Sequence, residues 1–337
     1  MSIALSILLG ATALWWALRF LPAGADGHGP LPYLIAFVRF LWIPSIILSA
    51  TALIFHHWII AALAAILAIL TGSFAAPWYR KTRHAPARQD QTRQQRSPDR
   101  EIQHTDNHYS VMTLNCRYGL ADPQSIIDAV RSNEVSILAL QELTQNLVFA
   151  LDQAGITKLL PYRQLGKAQE NDNGGFNGIF SAIRPDVHTE RTIDVAAADV
   201  PYCEINGVAV YSAHPKSPMR GCREWSHGII SLATLGRCTA DNNRLPEAAS
   251  TTEAIIMGDL NSNLDHPSFR KLLDAGFADA GLDTSHAAAA SFPQWLVWPR
   301  LELDHILVTS GIAVSNVRTL AIPGSDHLAL LAQLRHQ

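Results

Sequence analysis

Hydrophobic and polar positions divide the chain into two parts of different kind, with the change at about Tyr79. Before it, the apolar residues run without a helical or strand period. Ile3–Leu18 is nearly free of charge, Leu31–Phe55 is interrupted by Arg39, and Trp58–Ala76 carries no charge at all. Spanning a bilayer takes about 20 such residues in a helix, because hydrocarbon offers the backbone no hydrogen-bond partners. Residues 1–79 are therefore expected to form a transmembrane anchor of two or three helices, with the third stretch the clearest span. The first has a second reading as a signal peptide cut near Ala23-Gly24-Ala25, although Met1-Ser2 lacks the usual basic residue. Trp15, Trp16, Trp42, Trp58 and Trp78 fall on the shoulders of the three stretches, where interfacial anchors belong.

From residue 105 onward the pattern is short apolar strands alternating with a few amphipathic helices. Val111–Leu114 and Val135–Leu140 read as strands, as do Gly178–Ile183, Val208–Ala213, Ala254–Met257, Leu303–Thr309 and Leu328–Leu334. Asp122-Pro123 reads as an N-cap with proline at the first helical position, where its missing N–H costs nothing. A second helix is expected over Pro267–Ala275, closed by Gly276. Many strands with few helices predict packed sheets under outer helices, an α/β layered arrangement.

Charge follows the same division. The chain has 337 residues, 48% of them hydrophobic and 16% charged, with a formal net charge of −3. The head holds three charges (Arg19, Asp26 and Arg39), residues 80–100 carry a net +5, and residues 101–337 a net −9. Residues 80–104 have no apolar periodicity and are expected to be a basic flexible linker. An acidic body argues against a sequence-independent grip on duplex DNA, which depends on many Lys and Arg. Cys116, Cys203, Cys222 and Cys238 show neither C-x-x-C nor zinc-finger spacing and are read as buried thiols.

Polar residues fall where the apolar strands stop. Asn115, Glu142, His214 and Asp259 each follow a strand, and Asp326-His327 precedes one. Strand ends of packed sheets meet at a rim, so these residues point to one oxygen-rich, imidazole-bearing site of the kind a hard cation such as Mg²⁺ prefers. Taken one at a time, His305 reads as structural, His266, His286, His104 and His108 as surface residues, and Arg117, Lys216, Arg220 and Arg223 as solvated charges able to meet phosphate oxygens. Phe292, Trp295 and Trp298 either pack or wall an apolar pocket.

In this order and strand context, six short motifs resemble the endonuclease/exonuclease/phosphatase superfamily, the DNase-I-like fold. They are Leu114-Asn115, Ala139-Leu140-Gln141-Glu142, Ser212-Ala213-His214-Pro215, Gly258-Asp259-Leu260-Asn261, Leu303-Asp304-His305-Ile306 and Ser325-Asp326-His327. The resemblance implies a four-layer α/β sandwich, two packed sheets flanked by helices, as the catalytic domain over 105–337. It also implies a Mg²⁺- or Mn²⁺-dependent phosphoester hydrolase in which Glu142 and Asn115 hold the metal and His327 is the general base. Asp304 would orient His327, and Asp326 would lie beside the metal or its water. Asp259 and Asn261 would engage the reacting phosphate, and His214 would stabilise developing charge or protonate the leaving oxygen.

Several substrates remain open on the sequence. Leu303-Asp304-His305-Ile306 lacks the Cys-Asp-Arg signature of inositol-polyphosphate 5-phosphatases, which lowers that reading. The anchor and the Trp-rich loop favour a membrane-proximal phosphodiester such as a lipid headgroup, as in the sphingomyelinase-like branch, with the membrane itself as partner. Alternatives are a metal-dependent nuclease acting on nucleic acid and a non-catalytic membrane scaffold or sensor; against the latter, no motif residue is missing. Arg80, Lys81, Arg83 and Arg88 directly follow the last apolar stretch. By the positive-inside rule they favour a multi-pass plasma-membrane protein with a cytoplasmic catalytic domain.

Overall fold

The computed structural model describes residues 1–75, 107–168, 175–193, 195, 197–238, 253–283 and 289–336. The expected linker at 80–104 lies outside these residues, as do Trp78, His104 and His286.

Two six-stranded sheets form the body. The first has the order β11-β12-β1-β2-β4-β3 and is built from β1 (His108–Asn115), β2 (Ile137–Leu143), β3 (Tyr162–Leu165), β4 (Phe176–Ser181), β11 (Ile312–Ala321) and β12 (Leu328–His336). In the second, the order β5-β6-β7-β8-β10-β9 joins β5 (Val187–Thr189), β6 (Tyr202–Ile205), β7 (Val208–Ser212), β8 (Glu253–Asp259), β9 (Ala278–Asp279) and β10 (Asp304–Val308). Pairs β1/β2 and β7/β8 are parallel, and the remaining pairs are antiparallel.

Central strands are apolar on both faces because both faces are covered. Along β1, Tyr109 and Val111 enter the core between the sheets with Val210, Met257 and Ile306, while Met112 and Leu114 enter an outer core. That outer core is closed by helices α5 (Pro123–Ser132) and α6 (Gln145–Ala154), through Ile126, Ile127 and Leu151. Beyond the second sheet, α8 (Cys222–Cys238) and α9 (Pro267–Asp274) bring Trp225, Leu232 and Phe269 against Tyr211 and Ile256. The body is thus a four-layer α/β sandwich. Asp122 caps α5 by accepting from Ser125 N at 2.7 Å, and Thr144 caps α6 through Leu147 N.

All seven expected strands are present, with β2 continuing three residues past Leu140 and β4 starting two residues earlier than Gly178. The helix α9 ends one residue early, with Gly276 at φ +101°. Strands β3, β5, β6, β9 and β11 and helices α6, α7 (Ile156–Leu159), α8 and α10 (Ala280–Asp283) were not legible in the sequence. Four of those strands have four residues or fewer. The longest, β11, is broken by a register shift between Ser315 and Arg318, which interrupts its alternation.

The head differs from its expectation. Helix α1 (Ser2–Ala17) runs on through a 3₁₀ turn, and Ser2–Phe20 is long and apolar enough to cross a membrane. The second stretch is two helices, α2 (Leu31–Ala36) with its turn to Phe40 and α3 (Trp42–Ile54), bent by 62°. The third, α4 (Trp58–Ala75), expected to be the clearest span, is a shorter apolar helix that packs along α3. Among the described residues one helix qualifies as a span by itself, or two if the bent pair α2–α3 is taken as one, so by length and composition a multi-pass head is not supported.

The bend has a physical reason, since the segment between α1 and α3 is bound to the body. Arg19 pairs with Asp265 at 3.2 Å; Arg39 pairs with Asp265 at 3.3 Å and with Glu302. Asp26 accepts from Ser268 N at 2.8 Å and Ser268 Oγ at 2.5 Å. Arg270 donates to the Arg19 carbonyl, and Asn263 Nδ2 to that of Ala36 at 3.3 Å. At Gly27 the backbone comes so close to α8 that a Cβ would lie 2.7 Å from Ser226 Cβ. All three charges of the head are buried in this interface. A straight membrane helix would leave Arg39 in hydrocarbon, whereas the bend gives it two carboxylates.

Candidate active site

The strand ends meet as the rim argument requires. Asp259 closes β8 and Asp304 opens β10, and the two are directly paired in the antiparallel ladder. Like charges opposed in this way repel, so some cation or proton must offset them. Residue Asn115 ends β1, His214 follows β7, and His327 precedes β12.

Glu142 reaches the same place by a different route. The pairing of β2 with β4 shifts between Leu140 and Leu143, and Glu142 sits in the bulge at φ +51°. This conformation is unusual for a non-glycine residue and re-aims the side chain out of the pleat. Two donors hold the carboxylate: Asn115 Nδ2 at 3.2 Å and Tyr118 N at 2.9 Å. Gly258, beside Asp259, is required by space, because a Cβ there would lie 1.8 Å from the Ala213 carbonyl oxygen.

At the centre is Asp259 Oδ2. It accepts from Asn115 Nδ2 at 3.0 Å and lies 3.6 Å from both His214 Nε2 and His327 Nε2. The other oxygen, Oδ1, accepts from Asn261 N at 2.8 Å, and Asn261 itself adopts φ +50°. His327 Nδ1 is 2.7 Å from Asp304 Oδ2, which favours the tautomer with the proton on Nδ1 and leaves Nε2 facing the cluster. The ring of Phe292 packs on His327 at 4.8 Å between centroids. Ser325 Oγ accepts from His327 N at 2.9 Å and donates to the Asn115 carbonyl at 2.7 Å, tying together the two ends of the site. Asp326 is half-buried and lies 3.8 Å from Arg117.

Burial alone would push the His327 imidazole down, but Asp304, then Asp259 and Asp326, outweigh it and hold its pKa up at about 10. Cys116, next to Asn115, is driven the opposite way from a nucleophile: burial and then Glu142 push its thiol up.

Do these residues fit a divalent cation? Asp259, Asp304 and His327 offer atoms within 4.8 Å of one another, and Asp304 Oδ1 is buried and accepts no hydrogen bond. With Glu142 and Asp326 nearby, the donor set is rich in oxygen and short of positive charge, which fits a hard cation. Asn115 directs its N–H groups at Glu142 and Asp259, while its Oδ1 accepts from Arg117 N at 2.8 Å. That orientation braces the carboxylates instead of adding an oxygen.

Of the other residues weighed in the sequence, His305 is buried between Asp279 (2.5 Å) and the Ser262 carbonyl (2.8 Å), a structural setting. His108 is exposed. The expectation that His266 lies on the surface is corrected: it is buried, accepts from Asn263 N at 3.0 Å and reaches the Pro32 carbonyl at 2.8 Å. Burial lowers its pKa, and the head covers it. Cys116 and Cys203 are buried free thiols, as expected, whereas Cys222 is partly exposed. Sequence reasoning missed Tyr118, whose backbone N–H carries no motif of its own. Ser325 stood in a motif and Phe292 in the loop read as packing or pocket wall, but the bridging hydroxyl and the contact with His327 were not foreseen.

A four-layer sandwich whose sheets deliver carboxylates and an Asp-His pair to one rim is a DNase-I-like fold. The chain belongs to the Endonuclease/Exonuclease/phosphatase family, whose profile matches residues 112–327. Its enzymes are divalent-metal-dependent phosphoester hydrolases, and this chain is a hydrolase of that type. Among solved structures it is similar to D. rerio TDP2 humanized by 14 mutations, at 15% identity over 68% of this chain and 99% of that one, with a TM-score of 0.53. It is also similar to D. rerio TDP2 complexed with single strand DNA product, at 15% identity, 68% and 100% coverage and a TM-score of 0.50. At such identities the likeness is one of fold. No curated protein matches the chain.

Proposed function

We propose that the chain is a membrane-anchored phosphodiesterase in which His327 activates water. The observation that carries this reading is the Asp304–His327 pair, with Nε2 3.6 Å from Asp259, a carboxylate that Asn115 braces together with Glu142. Asp304 fixes the imidazole tautomer. Once the charge of a bound cation offsets the carboxylates that hold its pKa up, His327 Nε2 is free to take a proton from the attacking water, and the water oxygen joins phosphorus as the P–O bond to the leaving group breaks. His214, whose Nε2 lies 3.6 Å from Asp259 Oδ2 and 3.8 Å from Glu142, protonates the departing oxygen or offsets its charge. Asp259 and Asn261 orient the phosphate group, and Asp326 lies next to the water. A Mg²⁺ or Mn²⁺ ion held by Glu142, with Asn115 as brace, would supply the positive charge that phosphate oxygens and crowded carboxylates both require. The domain division at residues 79 and 105 and the cytoplasmic side for the body belong to the same proposal, with Ser2–Phe20 as the membrane span.

A nuclease is the second reading, favoured by Tyr118. This residue is 44% exposed, its backbone N–H is held by Glu142, and Arg220 lies over its ring at 5.6 Å, an arrangement on which a base can stack. The body's net charge of −9 weighs against it.

The test is hydrolysis of bis(p-nitrophenyl) phosphate by the full chain in detergent. Activity with Mg²⁺ or Mn²⁺ that chelator abolishes and that His327→Ala and Glu142→Gln lack is the expected result. Equal rates in wild type and both variants would remove the assignment, and a folded wild type without any turnover would favour the scaffold alternative.

A further inference from the structure

The loop between Phe292 and Pro299 exposes four consecutive apolar residues. Trp295 is 68% exposed, Val297 90% and Trp298 55%, with Leu296 between them at 37%. Such a run stays on a surface only when something apolar covers it. Its place in the fold indicates what that is. At one end Phe292 packs on His327 and lies 6.1 Å from Trp295. At the other end Trp298 packs edge-on against Phe40 of the head at 5.9 Å, and Phe40 lies 6.1 Å from the exposed Phe37. A series of rings therefore leads from the apolar head to the catalytic imidazole.

The head is fixed on this side of the site. Arg39, adjacent to Phe40, pairs with Asp265 and Glu302, which follow Asp259 and precede Asp304 by a few residues. Just past Phe40, α3 and α4 form an open groove of about 520 Å³ whose lining, including Trp42, Ile46 and Ile69, contains no charged residue. The backbone of the loop is in turn tied to the site, with Gln294 N donating to the Asp326 carbonyl at 2.7 Å. Tryptophan at the edge of an apolar surface is the residue type that settles at a bilayer interface.

We propose that the 295–298 loop and the head form one lipid-facing surface, and that the substrate is the phosphoester headgroup of a lipid in the bilayer that holds the head. The proposal rests on the hydrolase reading above and adds the substrate class to it. The lipid's chains remain in or beside the apolar surface while its phosphate reaches His327 past Phe292. Water adds to phosphorus, and the displaced alkoxide leaves with the proton.

The experiment uses the full chain reconstituted in vesicles of phosphatidylcholine and phosphatidylglycerol. Headgroup release is measured beside hydrolysis of bis(p-nitrophenyl) phosphate and of a single-stranded oligonucleotide. Wild type is expected to release headgroups, and His327→Ala is not. In Trp295→Ser/Val297→Ser, the ratio of lipid to soluble-ester turnover is expected to fall at least tenfold. Lipids brominated along their chains are expected to quench tryptophan emission less in Trp295→Phe than in wild type. An unchanged ratio, unchanged quenching, or cleavage of the soluble ester and the oligonucleotide without headgroup release would overturn the proposal. Failure to cleave any of the three would instead overturn the hydrolase reading, and this proposal with it.

Discussion

Two regions of the molecule bury charge, and they do it in opposite ways. Where the head meets the body, Arg19, Arg39 and Arg270 face Asp26, Asp265 and Glu302, three cations among three carboxylates. At the rim of the sandwich, Glu142, Asp259, Asp304 and Asp326 gather around two imidazoles, with Arg117 at the margin. A balanced buried cluster holds parts together, because removing any member leaves an uncompensated charge in a poor solvent. An unbalanced cluster is a cost the fold carries for another purpose, and it identifies the place where a cation and a phosphate belong.

Neutralising one carboxylate is the strongest way to separate the two regions. Glu142→Gln should lower turnover by on the order of 10²–10³-fold, as removal of a preorganised electrostatic group does. Its melting temperature in chelator should hold or rise, because the crowded rim loses a negative charge. A large fall in stability would mean that the rim, too, is structural. In the interface the signs reverse. Arg39→Ala strands Asp265 and Glu302 and should cost roughly 3–5 kcal/mol of stability, measured by thermal unfolding in detergent micelles, with Arg39→Lys recovering part. If Arg39→Ala melts with the wild type, the interface is not the clamp its geometry implies.

A gentler probe is pH. His327 has a folded pKa of about 10, above its ordinary value of 6.5, so its contribution to stability is fully present below pH 6.5. That contribution is lost as pH rises through about 10. In chelator the protein should therefore lose stability across this window, and Mg²⁺ should bring the imidazole titration to lower pH, read from the His327 ring protons by NMR. The smallest expected effect is a control outside both regions. Asp122→Ala removes the cap of α5 and should cost about 1 kcal/mol with no change in turnover.

The sequence carried the rim far better than the interface. Asn115, Glu142, His214, Asp259 and His327 were legible because an apolar strand delivers its end residue to a predictable place, and Asp304 through the family resemblance of its motif. Glu142 is a partial exception, since its position depends on a bulge that no local pattern announces. The sandwich was legible for the same reason as the rim, and its short edge strands were not, because two to four residues cannot display a period. The contacts of the head were not legible because hydropathy measures what a segment lacks, not what it touches. Arg39 read as a charge to be tolerated in lipid, and its partners lie 226 and 263 positions away in the chain. His266 was misplaced by the same blindness, being covered by Pro32 from the far end of the sequence.

That separation has a consequence for how the molecule is made. During synthesis the head leaves the ribosome first, yet Asp265 follows Arg39 by 226 residues. At about 5–20 residues per second, this is a delay of roughly 10–45 s. For that interval Arg19 and Arg39 lack their carboxylate partners and Asp26 lacks Ser268, and the nascent head must stay close to the surface without committing its charges to hydrocarbon. The last joint to close in each molecule is then the one between its first forty residues and the completed sandwich.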